Sequence, residues 1–285
     1  MKKILTGLLA ASALTFSTFA ALAEGEPAVQ FDLGGKFDKS FNESAYNGAE
    51  KWKAESGKAY LEFEIQNADQ REQGLRKFAE AGANPVVAIG FANADAITKL
   101  ADEFPKTNFV IIDMVVDKPN VRSVVFKENE GSYLVGVLAA MASKTGKGGF
   151  VGGMDIPLIS KFGCGYAGGF KSVKADGVVF MNMTGDTGAA WNDPVKGGEL
   201  AKSQFDRGAD VVFAAAGQTG LGVLQAAKDA GKLSIGVDSN QNGIHPGSVL
   251  TSMLKRVDVA VHAAFTDAQA GKFTPGIVAL GLKEG

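Results

Sequence analysis

The sequence predicts an α/β protein built from two similar lobes, each a doubly wound parallel sheet, joined by crossovers between their strands. Short runs rich in Val, Ile and Phe alternate with helical periods along nearly the whole chain. These runs are apolar on both faces, which is typical of buried parallel strands. One strand–turn–helix–strand unit also occurs twice, once in each half of the chain. Alternation of this kind produces sheets that carry helices on both faces.

The N-terminal residues predict an export signal that precedes the fold. Two lysines lead into an apolar run over residues 4–19, and residues 21–23 have the small-x-small pattern of a signal-peptidase site. The run is shorter than the roughly 18 apolar residues that a membrane-spanning helix needs. We therefore expect cleavage after Ala23, removal of residues 1–23 and a periplasmic mature protein.

The overall composition excludes several classes of protein. The formal net charge is only −2, so neither a nucleic-acid partner nor an anionic membrane surface is expected. An apolar fraction of 46% is ordinary for a well-packed globular chain. Cys164 is the only cysteine, which excludes an internal disulfide. We expect it to be a small buried apolar side chain rather than a nucleophile.

Apolar runs predict ten strands in the chain. Each run is short and bounded by residues that favour turns. In chain order the runs are AVQFDLG (28–34), YLEFEI (60–65), PVVAIG (85–90), NFVIID (108–113), SVVFK (123–127), GGFVGG (148–153), GVVFMNM (177–183), DVVFAAAG (210–217), LSIGVD (233–238) and SVLTSM (248–253).

The helix after the first strand is predicted from its spacing. Apolar residues recur at helical intervals from Phe41 to Trp52. Ser40 followed by Glu43 matches a capping box with Ser40 as the N-cap. We expect Trp52 to belong to the core, whereas Phe41 adjoins the loop and can face either the core or a cleft.

The internal repeat indicates where a ligand would bind. Residues 82–113 and 208–238 are both a strand, a turn, a helix and a strand that ends in aspartate. In open parallel sheets, ligands bind beyond the carboxyl ends of the strands. Asp32, Asp113 and Asp238 each stand at such an end. Two facing lobes would therefore bring all three carboxylates to one cleft.

Two aromatic residues refine this prediction. Trp191 lies in a Gly-rich loop after a predicted strand, which is an unusual place for an indole that only packs. Phe41 would come from the other lobe. One flat ring from each lobe, with carboxylates around them, describes a pocket for a flat ring that carries hydroxyl groups.

Cofactor binding and catalysis are weaker interpretations. Gly217, Gly220 and Gly222 resemble a dinucleotide fingerprint, but they lie in the second half of a chain predicted to be exported. His245 and His262 have no recognisable nucleophile nearby, and no spacing matches a metal site. We expect no cofactor, no metal ion and no catalytic residue.

A family resemblance follows from the motifs themselves. The segment DLGGKFDKSFN (32–42) resembles the opening motif of the basic membrane protein family, purine-nucleoside-binding receptors of ABC importers with a type I periplasmic-binding-protein fold. Further similar segments cover nearly all of the chain after the signal. They are VVFKENEGSYLVGVLAA, GFVGGMDIPLISKFGCGYAGG, GADVVFAAAGQTGLGV, GVDSNQ and LTSMLKRVDVAV.

The resemblance implies a function and a domain organisation. The expected protein is a monomeric receptor that captures a purine nucleoside between its lobes and delivers it to the membrane permease of an ABC importer. A receptor for a free pentose or other small polar solute, and a periplasmic nucleoside-cleaving enzyme, are the alternatives. The first lobe would comprise residues 28–127 plus 254–285, and the second lobe residues 128–253. No lipid-attachment cysteine stands near the cleavage site, so we expect a freely diffusing protein.

For the base, the resemblance implies four contacts. Phe41 and Trp191 would sandwich the purine, with Trp191 standing where relatives often have phenylalanine. Asp32 and Asn42 would hydrogen-bond the base edge or its surroundings, since an amide can pair with both a donor and an acceptor.

For the sugar, the resemblance implies a second group of contacts. Asp113, Asp238 and Lys255 would hold the ribose hydroxyls, and the backbone near Gly217 would close the cleft. Lys255 would also balance the negative charge of the aspartates, which would otherwise repel one another and take up protons.

Overall fold

The computed structural model describes residues 25–285, so the predicted signal peptide and its cleavage site lie outside the described residues. Strands and helices alternate through this range. The strands are β1 (Ala28–Phe31), β2 (Leu61–Glu64), β3 (Val86–Ala88), β4 (Phe109–Ile112), β5 (Val121–Phe126), β6 (Lys147–Met154), β7 (Val178–Gly185), β8 (Val211–Ala215), β9 (Leu233–Asp238), β10 (Val249–Leu254) and β11 (Gly276–Leu280). The helices are α1 (Phe41–Ser56), α2 (Gln70–Glu80), α3 (Ala94–Glu103), α4 (Glu128–Ala142), α5 (Pro157–Val173), α6 (Pro194–Asp206), α7 (Thr219–Asp229) and α8 (Val257–Gln269).

The strands form two parallel sheets of the same design. The first has the order β11-β5-β4-β3-β1-β2 and the second β10-β9-β8-β6-β7. The order β2-β1-β3-β4-β5 in the first sheet corresponds to the order β7-β6-β8-β9-β10 in the second. The strand pairs in both sheets are parallel. The predicted α/β fold with two doubly wound parallel sheets is therefore confirmed.

The cores lie on both faces of each sheet. Every residue of β1, β3, β4 and β8 is buried, as their apolar composition predicts. Each sheet has one apolar cluster under each of its helical layers. Trp52 packs in the first of these clusters, edge-on to Phe265, which confirms its prediction as a core residue.

All ten predicted strands are present, and β11 was missed. It forms the outer edge of the first sheet beside β5, and none of its five residues is buried. Its sequence, GIVAL, is no shorter than β1, β2, β3 or β4, so its length does not explain the omission. Pairing with β5 holds it in the sheet.

Both copies of the internal repeat end in the same backbone conformation. Asp113 follows β4 with a φ of 73°, and Asp238 ends β9 with a φ of 63°. This left-handed region costs a residue with a side chain about 1 kcal/mol or more, and Asp and Asn tolerate it best. Aspartate at these two positions therefore suits a sharp turn of the chain as well as a carboxylate at the end of a strand.

The chain crosses between the sheets twice within the described residues. Lys127 links β5 of the first sheet to α4, which packs beside the second sheet against α5. Residues 255–256 link β10 of the second sheet to α8, which packs against α1 on the first sheet. We retain the lobe limits predicted above as a proposal that is compatible with these two crossings.

The prediction that Cys164 is buried was wrong. Helix α5 packs with Phe162, Tyr166 and Phe170, which recur at four-residue intervals on its buried face. Cys164 falls on the opposite side of the helix and is an exposed free thiol. The helical position was available from the sequence, but the rotation of the helix about its axis depends on its neighbours.

The predicted capping box at the start of α1 was also wrong. Ser40 is the N-cap residue, but its side chain makes no cap hydrogen bond. Asp38 replaces it, because its carboxylate accepts from the backbone N–H groups of Ser40, Asn42 and Glu43 at 2.8, 3.0 and 3.1 Å. The hydroxyl of Ser40 is thereby free to bond elsewhere.

Loss of this cap should destabilise the protein. We expect Asp38→Ala to lower the free energy of unfolding by about 1–2 kcal/mol, because three helix-start N–H groups lose their acceptor. Urea unfolding of ligand-free protein measures the change. Asp69→Ala is the matched control, since Asp69 precedes α2 without a side-chain cap bond. Equal losses in the two variants would contradict the capping role of Asp38.

Candidate ligand-binding site between the two sheets

A cavity lies between the carboxyl ends of the two sheets. It contains about 650 Å³ of space between its lining atoms, part of it open to solvent. All eight residues predicted for the site line this one cavity; they are Asp32, Phe41, Asn42, Asp113, Trp191, Gly217, Asp238 and Lys255. Their contact with a ligand stays a prediction.

Apolar residues that the sequence did not single out complete the wall. They come from the loop after β1, the turn after β3 and helix α5; they are Leu33, Phe91, Leu158, Ile159 and Phe162. The α5 residues lie at helical spacing in an apolar segment, which is the pattern of ordinary core residues. These residues differ from ordinary core residues only because a cavity lies over the helix at their positions.

The polar side chains of the cavity are arranged around the ammonium group of Lys255. This side chain is only 3% exposed, and its Nζ donates to Oδ2 of Asp113 at 2.6 Å. Glu128, at the start of α4, is fully buried and places Oε1 3.4 Å from the same nitrogen. Lys255 follows β10, Asp113 follows β4, and Glu128 follows the first crossing. One buried charge therefore joins both sheets.

Aromatic rings surround the same ammonium. Its nitrogen lies 5.3 Å from the ring centre of Phe41, 5.0 Å from that of Phe126 and 5.5 Å from that of Phe162. A cation within about 6 Å of a ring is attracted to the negative face of the π system. The rings exclude water from Lys255 and partly compensate for the lost hydration.

Lys255 stays charged despite its burial. Burial alone would lower the pKa of Lys255, but the neighbouring carboxylates of Asp113, Glu128 and Asp238 raise it above its ordinary value. A buried ammonium that is balanced by carboxylates is expected to remain protonated. The site therefore presents a fixed positive charge at all physiological pH values.

Asp113 keeps one oxygen free for another partner. Its Oδ2 bonds to Lys255, while its Oδ1 is buried and has no hydrogen-bond partner among residues 25–285. A buried acceptor without a donor costs free energy. Because Asp113 lines the cavity, a ligand hydroxyl is a suitable donor for this oxygen.

The carboxyl group of Asp238 is strongly perturbed by its burial in the cavity wall. Burial raises its pKa to about 7, although Lys255 and the hydroxyl of Ser40 act in the opposite direction. Ser40 contributes its hydroxyl from the first lobe, where it donates to Oδ2 of Asp238. Asp238 therefore titrates close to neutral pH, at the junction between the two lobes.

Asp32 is held in place by a cation that the sequence did not reveal. Nη2 of Arg71, from α2, donates to Oδ1 of Asp32 at 2.7 Å. On the other side, Gly90 has a φ of 101°, and a Cβ built there would lie 2.6 Å from Oδ2 of Asp32. A glycine at position 90 therefore leaves room for the carboxylate and allows the left-handed backbone.

Asn42 bonds to the loop beneath Asp32. Its Oδ1 accepts from the backbone N–H of Asp32 at 3.0 Å, and its Nδ2 donates to the carbonyls of Asp32 and Leu33 at 3.3 and 3.4 Å. Both ends of the amide thus have backbone partners. In this arrangement Asn42 orients the carboxylate of Asp32 from the first turn of α1.

Trp191 lies in a single 3₁₀ turn after β7 and packs partly against the core of the second sheet. The hydroxyls of Thr184 and Thr219 both donate to the carbonyl of Ala190, at 3.0 and 2.8 Å, and so fix this turn. A Cβ at Gly153 would overlap the indole ring, so this glycine of β6 makes room for Trp191. The indole is therefore held in a defined position on the cavity wall.

The glycines that resemble a dinucleotide fingerprint have other uses here. Gly217 follows β8 with a φ of 57° and lines the cavity. A Cβ at Gly222 would overlap the carbonyl of Pro194, so Gly222 allows α7 to pack closely on α6. Gly217 and Gly222 are therefore explained by a turn and by a contact between two helices.

Residues 25–285 contain no group of three His, Cys, Asp or Glu side chains arranged to hold a metal ion. None of the helices in this range is both long and apolar enough to span a membrane.

Comparison with known proteins places this geometry in a family. Residues 27–285 match the family model described as ABC transporter substrate-binding protein, PnrA-like. The chain is 37% identical to the ABC transporter nucleoside-binding protein BmpA of Lactococcus lactis, over 90% of this chain and 79% of that protein. It is 32% identical to basic membrane protein A2 of Borrelia garinii, over 95% of this chain and 82% of that protein.

A solved structure supports the same assignment. A solute-binding protein of an ABC transporter system from Aeropyrum pernix K1 superimposes with a TM-score of 0.85 at 34% identity, over 92% of this chain and 75% of that chain. The family resemblance recognised in the sequence is confirmed. The chain belongs to the PnrA-like basic membrane protein family, the substrate-binding proteins of ABC transporters.

Proposed function

We propose that this protein is a periplasmic receptor for a purine nucleoside, which it delivers to the permease of an ABC importer. The observation that carries the proposal is the composition of the cavity wall, which combines aromatic rings, including Phe41 and Trp191, with the carboxylates of Asp113 and Asp238 beside the buried Lys255. A nucleoside combines the same two characters, since its base is flat and its ribose carries hydroxyls. The name of the Lactococcus relative, a nucleoside-binding protein, agrees with this ligand class.

At the base end, we propose stacking between Phe41 and Trp191. Stacking of a base on an aromatic side chain contributes about 1–3 kcal/mol. Asp32, fixed by Arg71 and by Asn42, would accept a hydrogen bond from an N–H group on the purine edge. Asn42 would then act on the base mainly through the position of Asp32.

At the sugar end, we propose that the ribose hydroxyls donate to Asp113 and Asp238. Each such bond to a charged acceptor contributes about 1.5–3 kcal/mol. Lys255 holds Asp113 in position through a 2.6 Å bond, and its charge opposes the rise that burial causes in the pKa of Asp238. The backbone at Gly217 would close the remaining side of the cavity.

Closure of the lobes is proposed to occur at the two crossings, near Lys127 and in the segment from Ser252 to Arg256. A few residues at the ends of secondary-structure elements commonly absorb such hinge motion. We further propose that the signal is cleaved after Ala23, that the mature protein diffuses freely in the periplasm, and that it acts as a monomer.

The alternatives differ in what they require of the cavity. Substrate-binding proteins of this family are not enzymes, which excludes the nucleoside-cleaving interpretation. A pentose receptor would use the carboxylates and Lys255 but would need no second aromatic surface. The position of Trp191 on the cavity wall favours the nucleoside.

Calorimetric titration of ligand-stripped protein tests the ligand class directly. We expect one-to-one binding of guanosine or adenosine with submicromolar affinity, and weaker or undetectable binding of uridine and free ribose, because a purine offers a larger stacking surface than a pyrimidine and ribose offers none. Binding of ribose alone would transfer the assignment to a pentose receptor. Binding of none of the four would overturn the proposal.

Loss of the indole should weaken purine binding specifically. We expect Trp191→Ala to raise the Kd for a purine nucleoside about tenfold or more, because one stacking surface is removed. Trp52→Phe is the control, since Trp52 is buried in the first core away from the cavity. Affinity in Trp191→Ala equal to that of the wild type would contradict the stacking role.

The perturbed carboxyl group predicts a pH dependence. If a ribose hydroxyl donates to ionised Asp238, binding must displace any proton on that group, whose pKa lies at about 7. Affinity should therefore be constant above pH 8 and fall by up to about tenfold per pH unit below pH 7. Calorimetry at several pH values, in buffers of different ionisation enthalpy, measures the affinity and the proton release.

Asp238→Asn provides the control for this pH dependence. Lys255, Asp38 and Asp113 also face this carboxyl group, so their titration must be separated from its own. The amide cannot ionise, and its pH profile should be flat over the same range. Stronger binding by the wild type at lower pH would contradict the proposed contact, since it would mean that the protonated acid donates to the ligand.

A further inference from the structure

We infer that Ser239 and Gln241 are positioning residues that hold the two halves of the site together across the cleft. This inference rests on the proposed function and extends it to residues outside the cavity wall. They follow Asp238 directly and bond to the segment that precedes Phe41. We call the two hydrogen bonds that Ser239 and Gln241 donate to the carbonyls of residues 40 and 39 the inter-lobe latch.

The latch connects main chain to side chain across the cleft. The hydroxyl of Ser239 donates to the carbonyl of Ser40 at 2.8 Å, and Nε2 of Gln241 donates to the carbonyl of Lys39 at 2.9 Å. The hydroxyl of Ser40 returns a bond to the carboxylate of Asp238. Each lobe thus supplies both donors and acceptors.

Gln241 is held rigidly on the second lobe. It is 2% exposed, and its Oε1 accepts from the backbone N–H of Val237 at 2.9 Å. Its own backbone N–H donates to the hydroxyl of Ser252 on β10. A buried amide whose oxygen is already bonded within its lobe presents its NH₂ group in a fixed direction, which here is toward the other lobe.

The partner segment is equally constrained. Lys39 has a φ of 62°, in the left-handed region, and Asp38 fixes the next residues through three backbone N–H groups. The carbonyls of residues 39 and 40 are thereby presented to the second lobe.

The latch adjoins the ligand site without entering it. Ser239, Gln241, Lys39 and Ser40 do not line the cavity, but each lies within three residues of Phe41 or Asp238 along the chain, and those two do. The latch therefore sets the distance between the stacking ring of one lobe and the hydroxyl acceptor of the other. It must break before the cleft can open and release a ligand.

This arrangement predicts a kinetic effect that does not depend on the base. A hydrogen bond that is present only in the closed form slows dissociation and leaves the encounter step unchanged. Loss of one such bond should raise koff and Kd about two- to tenfold. Because the latch does not touch the ligand, the factor should be the same for guanosine and adenosine.

The chain offers matched controls for both residues. Ser239→Ala and Gln241→Met remove the inter-lobe bonds. Ser248→Ala removes a hydroxyl-to-carbonyl bond of similar length, 2.9 Å to Lys232, that stays within the second lobe. Gln204→Met removes a buried amide that bonds to the carbonyl of Phe150, also within that lobe. These controls should lower thermal stability and leave koff unchanged.

Stopped-flow measurement of binding and release tests the inference. We expect the latch variants to raise koff by the factor above for both nucleosides, with kon unchanged, and the double variant to raise it further. Unchanged koff in both latch variants would overturn the inference. So would a change in the ratio of guanosine to adenosine affinity, because it would place these residues in ligand selection.

A measurement without ligand separates this inference from the proposed function. Cys164 is the only cysteine and is exposed on the second lobe, so it can be spin-labelled together with Lys51→Cys on α1 of the first lobe. Double electron–electron resonance measures the distance between the two spin labels. We expect one short distance in the protein with the latch intact. The Ser239→Ala, Gln241→Met double variant should show a second, longer distance as well. Identical distributions would overturn the latch. A protein that binds no nucleoside, but still shows this shift, would overturn only the proposed ligand.

Discussion

The structure depends above all on the burial of one positive charge between the two sheets. Lys255 leaves β10, crosses toward the first lobe and meets Asp113 and Glu128, each almost inaccessible to water. Removing one partner of such a group leaves an uncompensated buried charge, which typically costs about 3–5 kcal/mol. A buried ion pair is weak evidence for added stability, but its geometry is demanding. It fixes where the two crossings and the strand ends lie relative to one another.

The ends of the strands translate this constraint into a site. Asp113 and Asp238 occupy the same left-handed position in the two halves, so a repeated backbone turn delivers one carboxylate from each sheet. Aromatic side chains line the same cavity, among them Phe41, Phe162 and Trp191, and the rings of Phe41 and Phe162 lie near the Lys255 ammonium. The combination of polar acceptors and rings is a consequence of which strand ends carry aspartate and which loops and helices carry aromatic residues.

The sequence was sufficient where the signal is local or periodic, and insufficient where a distant element decides. The ten apolar runs, their repeat and the aspartates at their ends were all visible, because parallel strands place such residues at one edge. The ion pair of Asp32 with Arg71 and the contact of Glu128 with Lys255 join residues far apart in the chain, which no spacing reveals. The prediction that Cys164 is buried failed for a similar reason, because the elements around α5 determine which face of that helix is packed.

The second crossing also bears on the order in which the molecule can fold. The first core contains Val29 and Phe31 from the start of the described chain, together with Val257 and Phe265 from α8 near its end. Its helical layer therefore cannot be completed until the whole second half has been synthesised. Contacts this distant in sequence slow folding, because a long loop must close first. The second sheet, whose strands are contiguous in the chain, can assemble earlier and serve as the scaffold on which the first is finished.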